Sequence, residues 1–275
     1  MRFWTAYQEP LRQAALVDDG RVIRTIPDHP PGTPARWVCA VGSFDGDLLV
    51  GRRCDIQLWD KEGLAIKRSV YHPWIYMLHA VEQFGDRLLA ACAGLDVVFL
   101  FDWDGRVHWS WHAYQNGYGP RRDCIDGNDW QRVQLFGVVD CVGSPHVNSA
   151  NIDEDGIVVT MLRAGKVVLL NIGDRGLKEL SVSRAGGMHD FKYDRRFGAP
   201  VLVGGAEDGL VIGDSLFPLD GCQTGYGAHW YVKRVKLYED DKYLVSHETG
   251  VAIMDRKGRV LNNFPLPRPF NAVVL

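Results

Sequence analysis

The sequence predicts an all-β protein, a single six-bladed β-propeller covering residues 1–275, on three observations. A two-strand pattern recurs five times, its spacing is that of a four-stranded blade, and the two termini complete one another as a sixth unit. The pattern first reads Leu48-Leu49-Val50-Gly51 followed by Asp55-Ile56-Gln57-Leu58-Trp59-Asp60. It returns as Leu88–Ala91 with Val97–Asp102, Ile157–Thr160 with Lys166–Asn171, Val201–Val203 with Gly209–Asp214, and Tyr243–Ser246 with Gly250–Asp255.

The closing positions 60, 102, 171, 214 and 255 lie 42, 69, 43 and 41 residues apart. The long interval places an insertion around 103–145. Turns such as Asp104-Gly105 and Lys257-Gly258 follow the closing residues and suit hairpins, because glycine supplies positive φ without a steric penalty. At the N-terminus, Arg2–Tyr7, Gln13–Gly20 and Arg21–Ile26 read as the second, third and fourth strands of a blade that lacks its first. Phe270–Leu275 has the character of that missing inner strand, and joining the two removes an edge that would invite aggregation. A five-bladed ring with loose termini is the alternative.

Composition narrows the function classes. Hydrophobic residues make up 46% and charged residues 24%, enough apolar material for a large core. Thirty-one Lys and Arg against 34 Asp and Glu give a net charge of −3, so neither a nucleic-acid backbone nor an anionic membrane is favoured as a partner. No apolar signal core opens the chain and no run reaches membrane-spanning length, so a cytoplasmic protein is expected. The six cysteines show no C-x-x-C spacing, and Cys124 with Cys141 is the one local disulfide worth checking.

In a propeller blade the first strand lines the central channel, and its start lies at the same mouth as the end of the second strand. Residues from every blade converge there. First strands bring His79, His146, Asn148, His189, Arg234 and Asn271, while second-strand ends bring Arg53, Arg163, Glu207, His247 and Glu248. A solitary histidine in a strand is ordinarily a packing residue. Three at related positions point instead to proton transfer, nucleophilic attack or metal ligation. His72 falls outside this set, and His72→Ala is expected to be a silent control.

Ser144-Pro145-His146-Val147-Asn148-Ser149, followed by a strand ending in Leu162-Arg163, resembles the His-x-Asn-Ser segment and downstream arginine of the arylsulfotransferase-like β-propellers. His189-Asp190 resembles that family's His-Asp step, and His79 matches an earlier histidine in order only. The likeness is confined to roughly residues 70–215. It implies that His189 is the nucleophile accepting a sulfuryl group, that His146, Asn148 and Arg163 bind the sulfate oxygens, and that His79 assists proton transfer.

The leading expectation is therefore a small-molecule enzyme with catalytic His79, His146 and His189, needing no cofactor and acting on an anionic, aromatic substrate by group transfer or acid–base chemistry. Asn148, Arg163, Arg53, Glu207 and His247 are its expected substrate-binding residues. A metal-dependent lyase or hydrolase is the alternative, with His79, His146, His189, His247, Glu207 and Glu248 as donors to a divalent metal ion. A non-enzymatic interaction propeller is the third reading. The oligomeric state is left open.

Overall fold

The structure, a computed structural model, describes residues 1–7, 13–26, 38–52, 55–119, 144–173, 176–180, 188–195, 198–204, 209–218, 232–239, 241–247, 249–266 and 269–275. These residues form a six-bladed β-propeller of four-stranded antiparallel blades. Blade II holds β4 (Val38–Phe44), β5 (Asp47–Arg52), β6 (Asp55–Trp59) and β7 (Ile66–Tyr71), from the channel outward. Blade III holds β8 (Leu78–Phe84), β9 (Arg87–Cys92), β10 (Val97–Phe101) and β11 (Val107–His112). Blade IV runs β12 (Val147–Asp153), β13 (Gly156–Met161), β14 (Lys166–Leu170) and β15 (Leu177–Leu180). Blade V runs β16 (Met188–Asp194), β17 (Ala199–Gly204), β18 (Gly209–Ile212) and β19 (Ser215–Pro218). Blade VI runs β20 (Val232–Tyr238), β21 (Lys242–His247), β22 (Gly250–Asp255) and β23 (Val260–Pro265).

Blade I is composite, as its sequence predicts. β24 (Pro269–Val273) is the inner strand and pairs with β1 (Arg2–Tyr7), followed outward by β2 (Ala14–Asp18) and β3 (Arg21–Ile26). The β24–β1 register matches Val273 to Trp4, Ala272 to Thr5 and Asn271 to Ala6. Asn271 also reaches sideways: its amide accepts from Val41 N at 3.0 Å and donates to Val41 O at 2.7 Å, binding the inner strand of blade II to the closing blade.

Burial follows the radial order that the residue pattern dictates. The middle strand β10 is buried at every position, whereas the outer β7 buries only Val70. Strands sandwiched between neighbouring blades must be apolar on both faces, while the outermost strand meets water along most of its length. Several hairpins are closed by Asp-Gly: Asp19 and Gly20 have φ of 45° and 79°, Asp45 and Gly46 have 50° and 80°. Two successive positive φ values give the turn whose twist matches the flanking strands.

The described part of the insertion contains β11 and a single 3-10 turn at Ala113–Asn116. Its Trp109 and Trp111 are buried between blades III and IV. Cys124 and Cys141 lie outside the described residues. Among the described residues Cys39 and Cys92 form no disulfide, and burial pushes the Cys92 thiol up to about 12. Among the described residues no helix is long and apolar enough to cross a membrane.

Candidate functional site

All six inner strands share one irregularity. Where each pairs with its second strand, the register slips by one residue near the strand start, at Cys39, His79, Asn148, His189, Lys233 and Phe270. Such a slip is a β-bulge, which leaves a residue out of the ladder and re-aims its backbone and side chain. Three consecutive blades thus present His79, Asn148 and His189 at the same level of the channel, although their sequence spacing shows no motif.

The blade IV entrance is fixed by a neighbour. Asp96, buried in the turn after β9, accepts Ser144 Oγ at 2.7 Å and Val147 N at 3.0 Å, and Ser144 Oγ accepts His146 N at 3.1 Å. His146 has φ of 58°, unusual for a side chain of this size. Met77 stands at the equivalent point before β8 with φ of 50°, and the two make matching bonds: Ala93 N donates to Met77 O and Leu162 N to His146 O. The positive φ therefore belongs to the blade architecture rather than to the imidazole.

The geometry brings together His79, His146, Asn148 and His189. The rings of His79 and His146 meet edge to face with centroids 5.0 Å apart. Asn148 Nδ2 donates to His189 O at 2.7 Å and stands 3.2 Å from His189 Nδ1. A backbone carbonyl can only accept, so the amide orientation is fixed and its other proton faces Nδ1. Beneath them lies Arg234 of blade VI, whose guanidinium donates to His79 O at 2.6 Å, to Asn148 O, and to His189 O at 3.3 Å. Its charge is balanced by Asp190 at 3.5 Å. Arg234 thus satisfies carbonyls that three bulges turn out of their ladders. Burial lowers its pKa, against Asp190 and Glu82, which raise it.

His79 is held well below the usual imidazole range, first by burial and then by the charges of His146, Arg234 and His189, while a side-chain hydrogen bond with Asn148 pulls the other way. Burial also lowers His112, and lowers His72 to about 4. These groups stay neutral in the folded chain at pH values where the unfolded chain, with histidine near 6.5, takes up protons. Stability is therefore complete above about pH 6.5 and falls as pH drops toward 4, because the unfolded state then binds more protons. Thermal melts from pH 7 to 4.5 should show a falling Tm. A flat profile would contradict the neutral assignment.

The remaining candidates are placed differently. Arg163 is exposed in the turn after β13, its backbone N–H bonded to Pro145 O at 3.0 Å, so it stands on the rim beside the His146 segment. His247 is bound into its own blade: Nε2 faces Asn263 Oδ1 at 3.1 Å and Nδ1 faces Thr249 Oγ1 at 3.2 Å. Arg53, Glu207 and Glu248 lie outside the described residues. Among the described residues no group of three or more His, Cys, Asp or Glu is placed to hold a metal ion. His72 is not a bystander as expected, since its Nδ1 accepts Trp74 N and its ring packs on Phe99 and Trp74. The exposed His108, paired with Asp102, is the better control.

The sequence brings Arg234 to the channel and Ser144 into the His-x-Asn-Ser segment but assigns neither a role, and it does not point to Asp96. A signal for Arg234 exists in Asp190-x-Lys192 and Arg234-x-Lys236, where charges recur at period two along strands that should line the channel.

No protein-family model matches the chain, and no curated protein matches it. Solved structures of similar fold include a protein of unknown function from Bacteroides caccae, 10% identical with a TM-score of 0.62, covering 98% of this chain and 97% of that one. A catalytically inactive histidine-to-alanine variant of virginiamycin B lyase from Staphylococcus aureus with quinupristin is 9% identical, with a TM-score of 0.53 over 88% and 73%. The Pan2 WD40 domain of Neurospora crassa is 10% identical, with a TM-score of 0.53 over 92% and 76%. These likenesses establish the propeller fold, which some neighbours use as lyases and others as WD40 domains.

Proposed function

We propose that this chain is a small-molecule enzyme that runs acid–base chemistry at the histidine mouth, an elimination on an anionic substrate. Asn148 carries the reading. Both protons of its amide are directed at His189, so only its Oδ1 is left for the hydrogen bond with His79, and that oxygen can only accept. His189 Nδ1 is then an acceptor and the neutral ring carries its proton on Nε2. His79 spends its N–H on Asn148 and keeps a lone pair on the other nitrogen. One amide thus sets two imidazoles in complementary roles, His79 as base and His189 as hydrogen-bond donor.

In the reaction His79 takes a proton from carbon and becomes an imidazolium, the C–H electron pair becomes the new π bond, the carbon–oxygen bond breaks, and the oxygen departs as an anion stabilised by a hydrogen bond from His189 Nε2–H. Protons balance and no cofactor is needed. His146 packs on the base and fixes its orientation, and Arg163 on the rim pairs with the substrate's negative charge. A cytoplasmic location is part of this reading. That some structural neighbours are lyases supports it as a reaction class.

The probes are a panel of small carboxylated esters, with products read by mass spectrometry. Elimination leaves product masses that sum to the substrate, whereas hydrolysis adds one water. His79→Gln, His189→Gln and His146→Ala should each lower turnover by about 10²-fold or more. Arg163→Lys should raise KM more than it lowers kcat, because an ammonium lacks the planar fork. His108→Ala should leave both unchanged. Full activity in His79→Gln and His189→Gln would sink the scheme.

Sulfuryl transfer is the second reading, favoured by the motif on β12 and β13. It requires a lone pair on His189, and with Nδ1 engaged by Asn148 the neutral ring offers none at Nε2. Incubation with an aryl sulfate donor and a phenol acceptor tests it: a labile sulfuryl adduct on His189 would replace the elimination scheme.

A further inference from the structure

The far ends of the inner strands enclose a cavity of about 320 Å³ at the mouth opposite the histidines. Glu82, Asn151, Phe191, Lys192, Tyr193 and Lys236 are among its walls. Most of the charged side chains around it are in contact with an opposite charge. Arg234 stands 3.5 Å from Asp190, Lys192 stands 3.7 Å from Glu82 and donates to Asn151 Oδ1 at 2.7 Å, and Asp153 is held by Arg195. Lys236 is left over. It is half-buried between blades, and its ammonium makes no hydrogen bond or ion pair with the described residues, although the charges of Glu82 and Asp190 act on it.

A cation withdrawn from bulk water without a partner is costly, and a cavity at its side is where a partner fits. An ammonium with no contact partner is served by one negative charge set against it. The carboxylates of Glu82 and Asp153 on the same wall disfavour a dianion, and Phe191, Tyr193, Ile152 and Leu237 add apolar surface. The volume lies at the small end of the range for ligand pockets. We infer that this mouth is a second ligand site, taking a small monocarboxylate with an apolar body whose carboxylate pairs with Lys236 Nζ. The inference is independent of the chemistry proposed at the histidine mouth.

Burial lowers the Lys236 pKa, with Lys192 and Arg234 adding to the effect and Glu82 and Asp190 opposing it. A bound carboxylate reverses that cost, so binding should tighten as pH falls through the lysine's pKa and should take up protons.

Titrating the full-length protein with benzoate, isovalerate and acetate, while following the lysine side-chain resonances by NMR, tests the site. Benzoate should shift Lys236 saturably, acetate more weakly, and the neutral benzamide should bind at least tenfold less tightly than benzoate. Lys236→Met preserves length and removes the charge, and should weaken benzoate at least tenfold. Lys67→Met, which removes an exposed lysine paired with Asp47, should not. If Lys236→Met misfolds, the resonance shift in the unmodified protein decides alone. An unmoved Lys236 with all three carboxylates at millimolar concentration overturns the inference. So does benzoate binding that survives Lys236→Met but is lost in Arg163→Gln, which would put the carboxylate at the histidine mouth.

Discussion

Deleting residues 270–275 should abolish soluble expression of the folded protein. The deletion removes nearly all of β24, the inner strand of blade I, and leaves β1 with an open hydrogen-bonding edge. Ala272 and Val273 leave the core beside Phe3 and Trp4, a loss of roughly 3 kcal/mol of apolar burial. Asn271 goes with them, so the N–H and C=O of Val41 lose their partner at a cost of about 1–3 kcal/mol each. Together these terms rival the whole net stability of an ordinary domain, about 5–15 kcal/mol. Soluble yield and thermal melting of the truncated chain give the measurement. Asn271→Ala, which keeps the strand and removes only the clamp on blade II, should survive with a lowered Tm. A truncated protein with unchanged Tm would show that the closing strand is dispensable.

Replacing Arg234 by Met should be the most destabilising single substitution in the channel. Its guanidinium is almost fully buried and serves three bulge carbonyls on three blades as well as the Asp190 carboxylate. Removing one partner of a buried pair strands the other, at about 3–5 kcal/mol. For a chain of this size that is a fall in Tm of about 10 °C. The double variant Arg234→Met with Asp190→Asn should recover part of the loss, because the stranded charge disappears while the carbonyls stay unserved. Asp190 keeps other bonds, to Asn151 Nδ2 at 2.6 Å and Val235 N at 3.2 Å, which an amide cannot all reproduce, so recovery should be incomplete. A double variant no more stable than Arg234→Met would assign the cost to the carbonyls alone. The substitution should also loosen the histidine mouth, since Arg234 holds the backbone of the three residues there.

The residue pattern by itself determined the blade repeat, the strand composition and the closure. Each rests on local rules: period-two alternation, apolar middle strands such as Val97–Phe101, Asp-Gly turns, and an unpaired strand at each terminus. It also brought His79, His146, Asn148 and His189 to one mouth, because the start of an inner strand always faces the same end of the channel. What it could not show was the role of each. Whether a ring reaches its neighbour depends on where each strand bulges and how blades III to VI are rotated about the axis, and those contacts join positions as far apart as 79 and 234. Tertiary structure drew His247 into a bond with Asn263, left Arg163 on the rim, and made Arg234 the centre of the channel. It also left the Lys236 ammonium beside a cavity, with no hydrogen bond or ion pair among the described residues. A buried charge reveals its function only through the atoms that ring closure sets around it, and those atoms come from blades that the local sequence cannot see.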